Sequence, residues 1–289
     1  MRFLTFDKNG VETVGVRFGE EIVDLSLAAP ELPRTLLGLI QAQALEAAGK
    51  AAQNAGSKAR RPVAGLTYLP LIPRPPKFFG FGINYGSHVG ARPKTPGFFI
   101  SSPRRLIGHG AAMVIPKMSR TLDWEAELAL VMGRTGKDIP SSKALDYIAG
   151  YTVFNDGSVR GHGVGMTLAL QKNSDKTGPL GPELVTPDEL PEGCDGLKLL
   201  CRRNGKTVQS DTTANMFWKV PEVIQLSSSY MTMEAGDVIT TGTCGGTVID
   251  THKDHDRTDE SLPWLQPGDI LESEVEGVGI LRNPIVGEA

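Results

Sequence analysis

Residues 69–77 read LPLIPRPPK, four prolines in nine positions. No helix and no central strand can cross such a stretch, because each proline lacks a backbone N–H and fixes its own φ. The chain is therefore read as two regions, about seventy residues and a longer remainder, joined by an extended, semi-rigid connection. Before the prolines, MRFLTF and VETVGVRF alternate as short strands, and LPRTLLGLIQAQALEAAGKAAQ predicts one helix. After them strands dominate. Asn204-Gly205 between two strand-like runs signals a hairpin, and Gly-Asp turns open the strands in EAGDVITTGT and QPGDILESEVEGVGIL. The helical signals there are short: KALDYIA between Ser141-Ser142 and Gly150, and PEVIQLSSSYM from Pro221. No regular βαβ series is supported, so the expectation is a β-rich α+β chain, with a small N-terminal domain over 1–70 and a larger one over 71–289.

The chain's 289 residues can bury a full core, and its 40% hydrophobic and 22% charged content fits a water-soluble globular protein. A formal charge of −3 leaves no basic excess for nucleic acid or an anionic membrane. The N-terminus carries no signal-peptide pattern, and every apolar run falls short of the ~20 residues of a membrane span, which predicts a cytoplasmic protein. Cys194, Cys201 and Cys244 are odd in number and lack C-x-x-C spacing, so neither a disulfide framework nor a zinc ribbon follows. Cys244, in TGTCGG, reads as a small loop side chain, since nothing in the sequence activates it.

KFFGFGINYGSHVGARP, residues 77–93, imitates a dinucleotide fingerprint in Gly80 and Gly82, but Tyr85 stands where the third glycine belongs. Gly90, Pro93 and Pro96 follow where a helix would be needed. The stretch reads instead as a strand running into a mobile loop that carries His88.

TLDWEAELALVMGR places Glu125, Glu127, Ala129 and Val131 on one face of a strand. Two carboxylates roughly 6 to 7 Å apart in an apolar strand need a cation or a proton between them. Asn155-Asp156 closes another apolar strand, and three acids gathered from two strand ends suit Mg²⁺ or Mn²⁺. Each motif alone is commonplace: an E-x-E strand is more often a solvated face, and an Asn-Asp pair more often a turn.

The motifs as a series resemble the fumarylacetoacetate hydrolase family from about Leu69 onward: IPRP from Ile72, GINYGSH from Gly82, EAE from Glu125, GYTVFND from Gly150, RNGK from Arg203, TGT from Thr241 and PGD from Pro267. The resemblance implies a mixed β-sandwich roll as the catalytic domain, and Glu125, Glu127 and Asp156 as ligands of Mg²⁺ or Mn²⁺. It implies His88 and Lys172 as catalytic residues, with Arg160, Tyr85 and Thr243 meeting the substrate. The implied reaction is hydrolysis of a C–C bond in an acylpyruvate or related 2-oxo/1,3-dicarbonyl acid through an enolate held on the metal, with His88 as the base on a lid running from Gly86 to Gly97. Decarboxylation, hydration or keto-enol isomerisation at the same site, and non-catalytic 2-oxo acid binding, are the alternatives. Relatives are homodimers, and the same is expected here.

The chain departs from the family pattern at four places. Relatives place a glutamate three residues after the motif histidine, where this chain has Ala91; a lysine near the lid is Ser101; the proline after T-G-T is Cys244; and S-V-R continues into Gly161, His162 and Gly163. His162 offers a substitute base. His252 and His255, in THKDHDRTDE, read as a solvated loop rather than a second metal site.

Overall fold

A computed structural model describes residues 1–161, 168–253 and 259–289; His162 and His255 lie outside the described residues. The first region folds as expected into a meander, β1 (Arg2–Lys8), β2 (Val11–Phe18) and β3 (Glu21–Asp24). Next come α1 (Leu25–Ala28), α2 (Leu36–Gln41), α3 (Leu45–Gln53) and β4 (Arg60–Pro62). The single helix expected over 32–53 is thus two. Gln43 takes a left-handed φ of 55° between them, and its amide donates to the Ile40 and Gly133 carbonyls. The break lets Leu36, Leu39 and Ile40 of α2 and Ala48 and Ala52 of α3 enter one apolar cluster.

Beyond the prolines lie β5 (Phe78–Gly82), α4 (Gly86–Val89), β6 (Gly97–Ile100), β7 (Leu106–Ile107), β8 (Met113–Ile115) and β9 (Leu122–Asp123). Then follow β10 (Ala126–Met132), β11 (Ile148–Asn155), β12 (Ser158–Val159), α5 (Leu168–Gln171), β13 (Gly178–Val185), β14 (Lys198–Arg203) and β15 (Lys206–Thr212). The chain ends in α6 (Val220–Tyr230), β16 (Val238–Thr240), α7 (Val248–Thr251), β17 (Ile270–Val275) and β18 (Gly279–Gly287). Asn204 and Gly205, at φ 52° and 79°, make the hairpin turn between β14 and β15 that their identities predict. The KALDYIA segment is instead a 3₁₀ helix, Ser141–Tyr147, without a side-chain cap. Gly150 sits inside β11, where a Cβ would meet the Val185 carbonyl oxygen at 2.6 Å; close strand approach, not helix termination, demands the glycine.

One large sheet runs β4-β3-β2-β1-β13-β11-β10-β16-β5-β6, with β7 against β13, and a smaller one runs β15-β14-β17-β18-β8. The β1 meander joins the large sheet through β13, Phe3 opposite Leu184, and buried Leu71 and Ile72 of the proline-rich stretch pack in the same cluster as residues from both regions. The architecture is a mixed, sheet-rich α+β fold and not a closed barrel. No helix among the described residues is long and apolar enough to cross a membrane.

The centre of the large sheet positions the acids. In β10 the side chains of Leu128, Leu130 and Met132 join the cluster shared with β14, β17 and β18, while Ala129 and Val131 join the cluster shared with α2 and α3. Alternation therefore sends both faces into apolar surroundings, each buried leucine contributing about 1.5–3 kcal/mol. The acids at the N-terminal end of β10 are carried inside with it.

Candidate metal centre and the cavity beside it

Glu125 precedes β10, Glu127 lies in it, and Asp156 follows β11; the pairing of Ala126 with Asn155 brings these strand ends together. All three carboxyls are buried, and one oxygen from each lies within 4.8 Å of the others. The strand is interrupted at Trp124 and Glu125, so Glu125 is held by an irregular step where a continuous E-x-E strand was expected. Three devices fix the step. The Asp156 N–H donates to the Glu125 carbonyl at 2.8 Å. Gln209 of β15 accepts from the Ala126 N–H at 3.0 Å and donates to Thr243 Oγ1 and the Cys244 carbonyl. The Gly242 N–H of the T-G-T loop donates to Glu127 Oε2 at 3.0 Å.

Charge surrounds these acids. Arg160 Nη2 and Lys172 Nζ each donate to one oxygen of Glu125, and Lys172 Nζ lies 2.8 Å from Asp156 Oδ2. Arg160 also reaches Asp123 Oδ2 at 3.1 Å, while Asp123 Oδ1 accepts from the Trp124 and Val248 N–H groups. Arg105 Nη1 contacts Asp156 Oδ1 at 2.6 Å. The two Asp156 oxygens meet these cations as ion pairs, without well-directed hydrogen bonds. Burial alone would raise the Glu125 pKa, but Lys172 and Arg160 bring it down to about 2. Glu127 goes the other way, pushed well up by burial and then by the charges of Asp156 and Glu125. Burial also raises Asp123, against the pull of Arg160. An all-oxygen set of crowded, buried carboxylates fits a hard divalent cation such as Mg²⁺ or Mn²⁺.

A cavity of about 560 Å³ opens beside the centre, lined by His88, Arg160, Asp250, Gln171 and Lys253 among apolar side chains including Ile83 and Leu262. Arg160 joins the two, since it lines the cavity and holds Glu125. His88 stands on α4, a single turn where a loop without helix was expected. Its Nδ1 lies 2.9 Å from both oxygens of Asp250. A carboxylate only accepts, so Nδ1 carries the proton and Nε2 is the nitrogen left as a base. Asp250 Oδ2 also accepts from the Gly246 and Thr247 N–H groups and the Thr247 hydroxyl, which fixes the carboxylate in α7. Ile83, a β-branched residue at φ 56°, marks backbone strain where β5 enters the turn toward His88. Buried Asn84 holds that turn by donating to the Trp218 and Thr241 carbonyls and accepting from the Trp218 N–H.

Two expected substrate contacts face elsewhere. Tyr85 is completely buried in the core between the sheets, its hydroxyl without a hydrogen-bond partner, and burial raises its pKa well above the ordinary phenol value. Thr243 donates its hydroxyl proton to the Ala126 carbonyl at 2.9 Å, and Thr241 does the same to Leu128, so both brace β10. Neither Tyr85 nor Thr243 lines the cavity. Burial pushes the Cys244 thiol up to about 12, as suits an inert loop residue. His252 Nδ1 bonds the Val248 carbonyl and the Thr251 hydroxyl at the end of α7. Asp250, Asp123, Arg105 and Gln209 belong to no motif that the sequence singles out. Only Asp123, two residues before the E-x-E, carried a local signal.

Residues 77–286 match the model of the fumarylacetoacetate (FAA) hydrolase C-terminal family. Over 298 aligned residues the chain is 32% identical to the mitochondrial oxaloacetate tautomerase Fahd2a of Rattus norvegicus, covering 99% of this chain and 92% of that protein. The crystal structure of maleylpyruvate hydrolase from Sphingobium sp. SYK-6, in complex with manganese(II) and pyruvate, superposes with a TM-score of 0.81 at 25% identity, covering 100% of both chains. The 5-carboxymethyl-2-hydroxymuconate delta-isomerase of Mycobacterium smegmatis superposes with a TM-score of 0.76 at 26% identity, again over 100% of both chains.

Proposed function

The chain belongs to the fumarylacetoacetate hydrolase family, and from that premise we propose that it is a divalent-metal-dependent enzyme acting on small 2-oxo acids, cleaving a C–C bond in an acylpyruvate or related 1,3-dicarbonyl acid. The observation that carries the proposal is the shared wall: the His88–Asp250 pair and Arg160 line one cavity, and Arg160 is hydrogen-bonded to Glu125 of the acid cluster. Glu125, Glu127 and Asp156 would hold Mg²⁺ or Mn²⁺, and the manganese in the maleylpyruvate hydrolase structure agrees with that choice. Such an ion, when bound, supplies Lewis acidity toward the substrate's carboxylate and 2-oxo oxygens.

The remaining chemistry belongs to this chain's own side chains. Arg160 and Lys172 concentrate positive charge at the edge of the acid cluster, where a substrate carboxylate docks and negative charge develops on the 2-oxo oxygen. His88 takes a proton at Nε2, with Asp250 holding the ring in the required tautomer and stabilising the imidazolium that forms. Asp250 thereby gives His88 the carboxylate partner that Ala91 does not. In hydrolysis the proton comes from water: the activated water adds to the distal carbonyl, the C–C bond beside that carbonyl breaks, one fragment leaves as a carboxylic acid, and the other, leaving as an enolate, takes the proton back at carbon from the His88 imidazolium. Ile83, Leu168 and Leu262 give the same cavity an apolar wall.

Keto-enol tautomerisation is the second reading, favoured by identity to the rat tautomerase over nearly the whole chain. It needs only that His88 take the proton from carbon and return it to oxygen. Incubation with acylpyruvates and oxaloacetate, followed by mass analysis of products and by the absorbance of the enol, separates the readings: smaller acids by mass mean hydrolysis, whereas faster keto-enol exchange in absorbance with no change of mass means tautomerisation. A homodimer is part of the proposal, consistent with exposed Ile100 on β6 at the edge of the large sheet, and light scattering on the purified protein tests it.

A further inference from the structure

We propose that Arg105 is a positioning residue of the acid cluster, fixing Asp156 for the cation and supplying from position 105 a charge that position 101 lacks. The inference rests on the metal reading above. Arg105 ends the one-turn 3₁₀ helix Pro103–Arg105, immediately before β7, and none of its surface is exposed. A buried guanidinium is costly unless it is paired and hydrogen-bonded, so its partners disclose why it is there. Nη1 lies 2.6 Å from Asp156 Oδ1 and donates to Ser101 Oγ at 2.9 Å; Nη2 donates to the Gly157 carbonyl at 2.8 Å. The guanidinium stands 5.5 Å from the centre of the Phe154 ring, and Gly178 leaves it room, since a Cβ there would lie 3.1 Å from Nε.

This one side chain ties together the segments that build the site. Asp156 and Gly157 follow β11, Ser101 follows β6, and the Ser101 hydroxyl reaches the Lys172 carbonyl at 3.4 Å. With Oδ1 held by Arg105, Asp156 turns Oδ2 to Lys172 at 2.8 Å, in the cluster with Glu125 and Glu127. Arginine that merely filled space would not need its charge at a candidate ligand. Because Nη1 lies within hydrogen-bond distance of Ser101 Oγ, a cationic side chain grown from position 101 reaches the same neighbourhood. The placement of the charge, not the identity of position 105, is what the site requires.

Binding of Mn²⁺ alone tests this, read as the loss of the free-ion electron paramagnetic resonance signal, with circular dichroism and thermal melts to establish folding. Arg105→Met is expected to weaken Mn²⁺ binding roughly 10- to 100-fold, the usual cost of removing a residue that orients a metal ligand. The double variant Ser101→Lys with Arg105→Ser is expected to recover most of that loss. Arg105→Met that folds and binds Mn²⁺ like the wild type overturns the inference, and so does a drop in melting temperature with unchanged affinity. If Arg105→Met does not fold, Arg105→Gln, which keeps hydrogen-bond donors and removes the charge, takes its place: weakened affinity upholds the inference, and wild-type affinity overturns it. A double variant that folds but recovers no affinity overturns the placement of charge. Wild-type protein that fails to bind Mn²⁺ overturns the metal reading, and this inference with it.

Discussion

Replacing Asp250 by asparagine changes one atom and reverses a proton. The Asp250 oxygen that serves Gly246 N–H, Thr247 N–H and the Thr247 hydroxyl must remain an oxygen, because all three are donors. The new amide NH₂ therefore faces His88 Nδ1, now 2.9 Å from a carboxylate that only accepts. The retained oxygen, also 2.9 Å from Nδ1, can still accept there, but it has lost its charge and the NH₂ donor competes for the same nitrogen, so the tautomer protonated at Nε2 gains and the population with a base facing the cavity falls. Restoring the productive tautomer costs about 1.5–3 kcal/mol, the worth of a hydrogen bond to a charged group. At 1.36 kcal/mol per tenfold in rate, kcat falls about 10- to 150-fold. KM should change little, because the lost interaction belongs to proton transfer and not to substrate docking. The assay is the initial rate of absorbance change of an enolised acylpyruvate or oxaloacetate with saturating Mn²⁺, beside a thermal melt showing an intact fold. A folded Asp250→Asn protein with kcat within twofold of the wild type would refute the role given to the pair.

Other perturbations bear on separate parts of the account. Glu127→Gln should abolish Mn²⁺ binding and turnover while leaving a folded protein, because it removes one of three ligand carboxylates but keeps an acceptor for the Gly242 N–H; equilibrium dialysis checks it. Because burial and its acidic neighbours raise the Glu127 pKa in the folded state, that state holds a proton the unfolded chain releases above the ordinary value of 4.5. This contribution to stability is present below 4.5 and lost as pH rises through the folded value, so melts in EDTA should show a destabilising slope on that side that Mn²⁺ suppresses. Arg160→Lys should cost at least tenfold in kcat/KM, because one ammonium cannot match a guanidinium reaching both Glu125 and Asp123; steady-state kinetics read it directly. Thr243→Val should lower the melting temperature through loss of its bonds to Ala126 and Gln209, with a smaller effect on KM than Arg160→Lys.

What could be read in advance divides by the range of the interaction. The hairpin at Asn204-Gly205, the helix opening at Pro221 and the opening strands follow from local backbone preferences, and each is where the residues place it. The helix over 32–53 breaks because its two halves must bury apolar faces against one cluster, a tertiary demand that periodicity alone does not contain. Gly150 resembles a helix stop, yet its reason is the approach of the Val185 carbonyl from a distant strand. The same division holds at the site. Glu125, Glu127 and Asp156 stand in short motifs and were legible, whereas Asp250 reaches His88 across 162 residues of sequence and Arg105 reaches Asp156 only once β7 has paired with β13. Tyr85 adjoins the His88 turn in sequence, yet it stands at the N-cap of α4 with its ring in the core, a burial that neighbourhood in sequence does not contain.

The buried acids and the His88–Asp250 pair, taken as one metal-dependent site for 2-oxo acids, make turnover depend on the ion and on the acids together. Turnover of a panel of acylpyruvates and oxaloacetate by the wild-type protein, with Mn²⁺ or Mg²⁺ and then with EDTA, tests that dependence most directly. At least one substrate should be converted in a reaction that EDTA abolishes, readdition of the ion restores and Glu127→Gln eliminates. Conversion that proceeds equally in EDTA, or survives undiminished in Glu127→Gln, would contradict it.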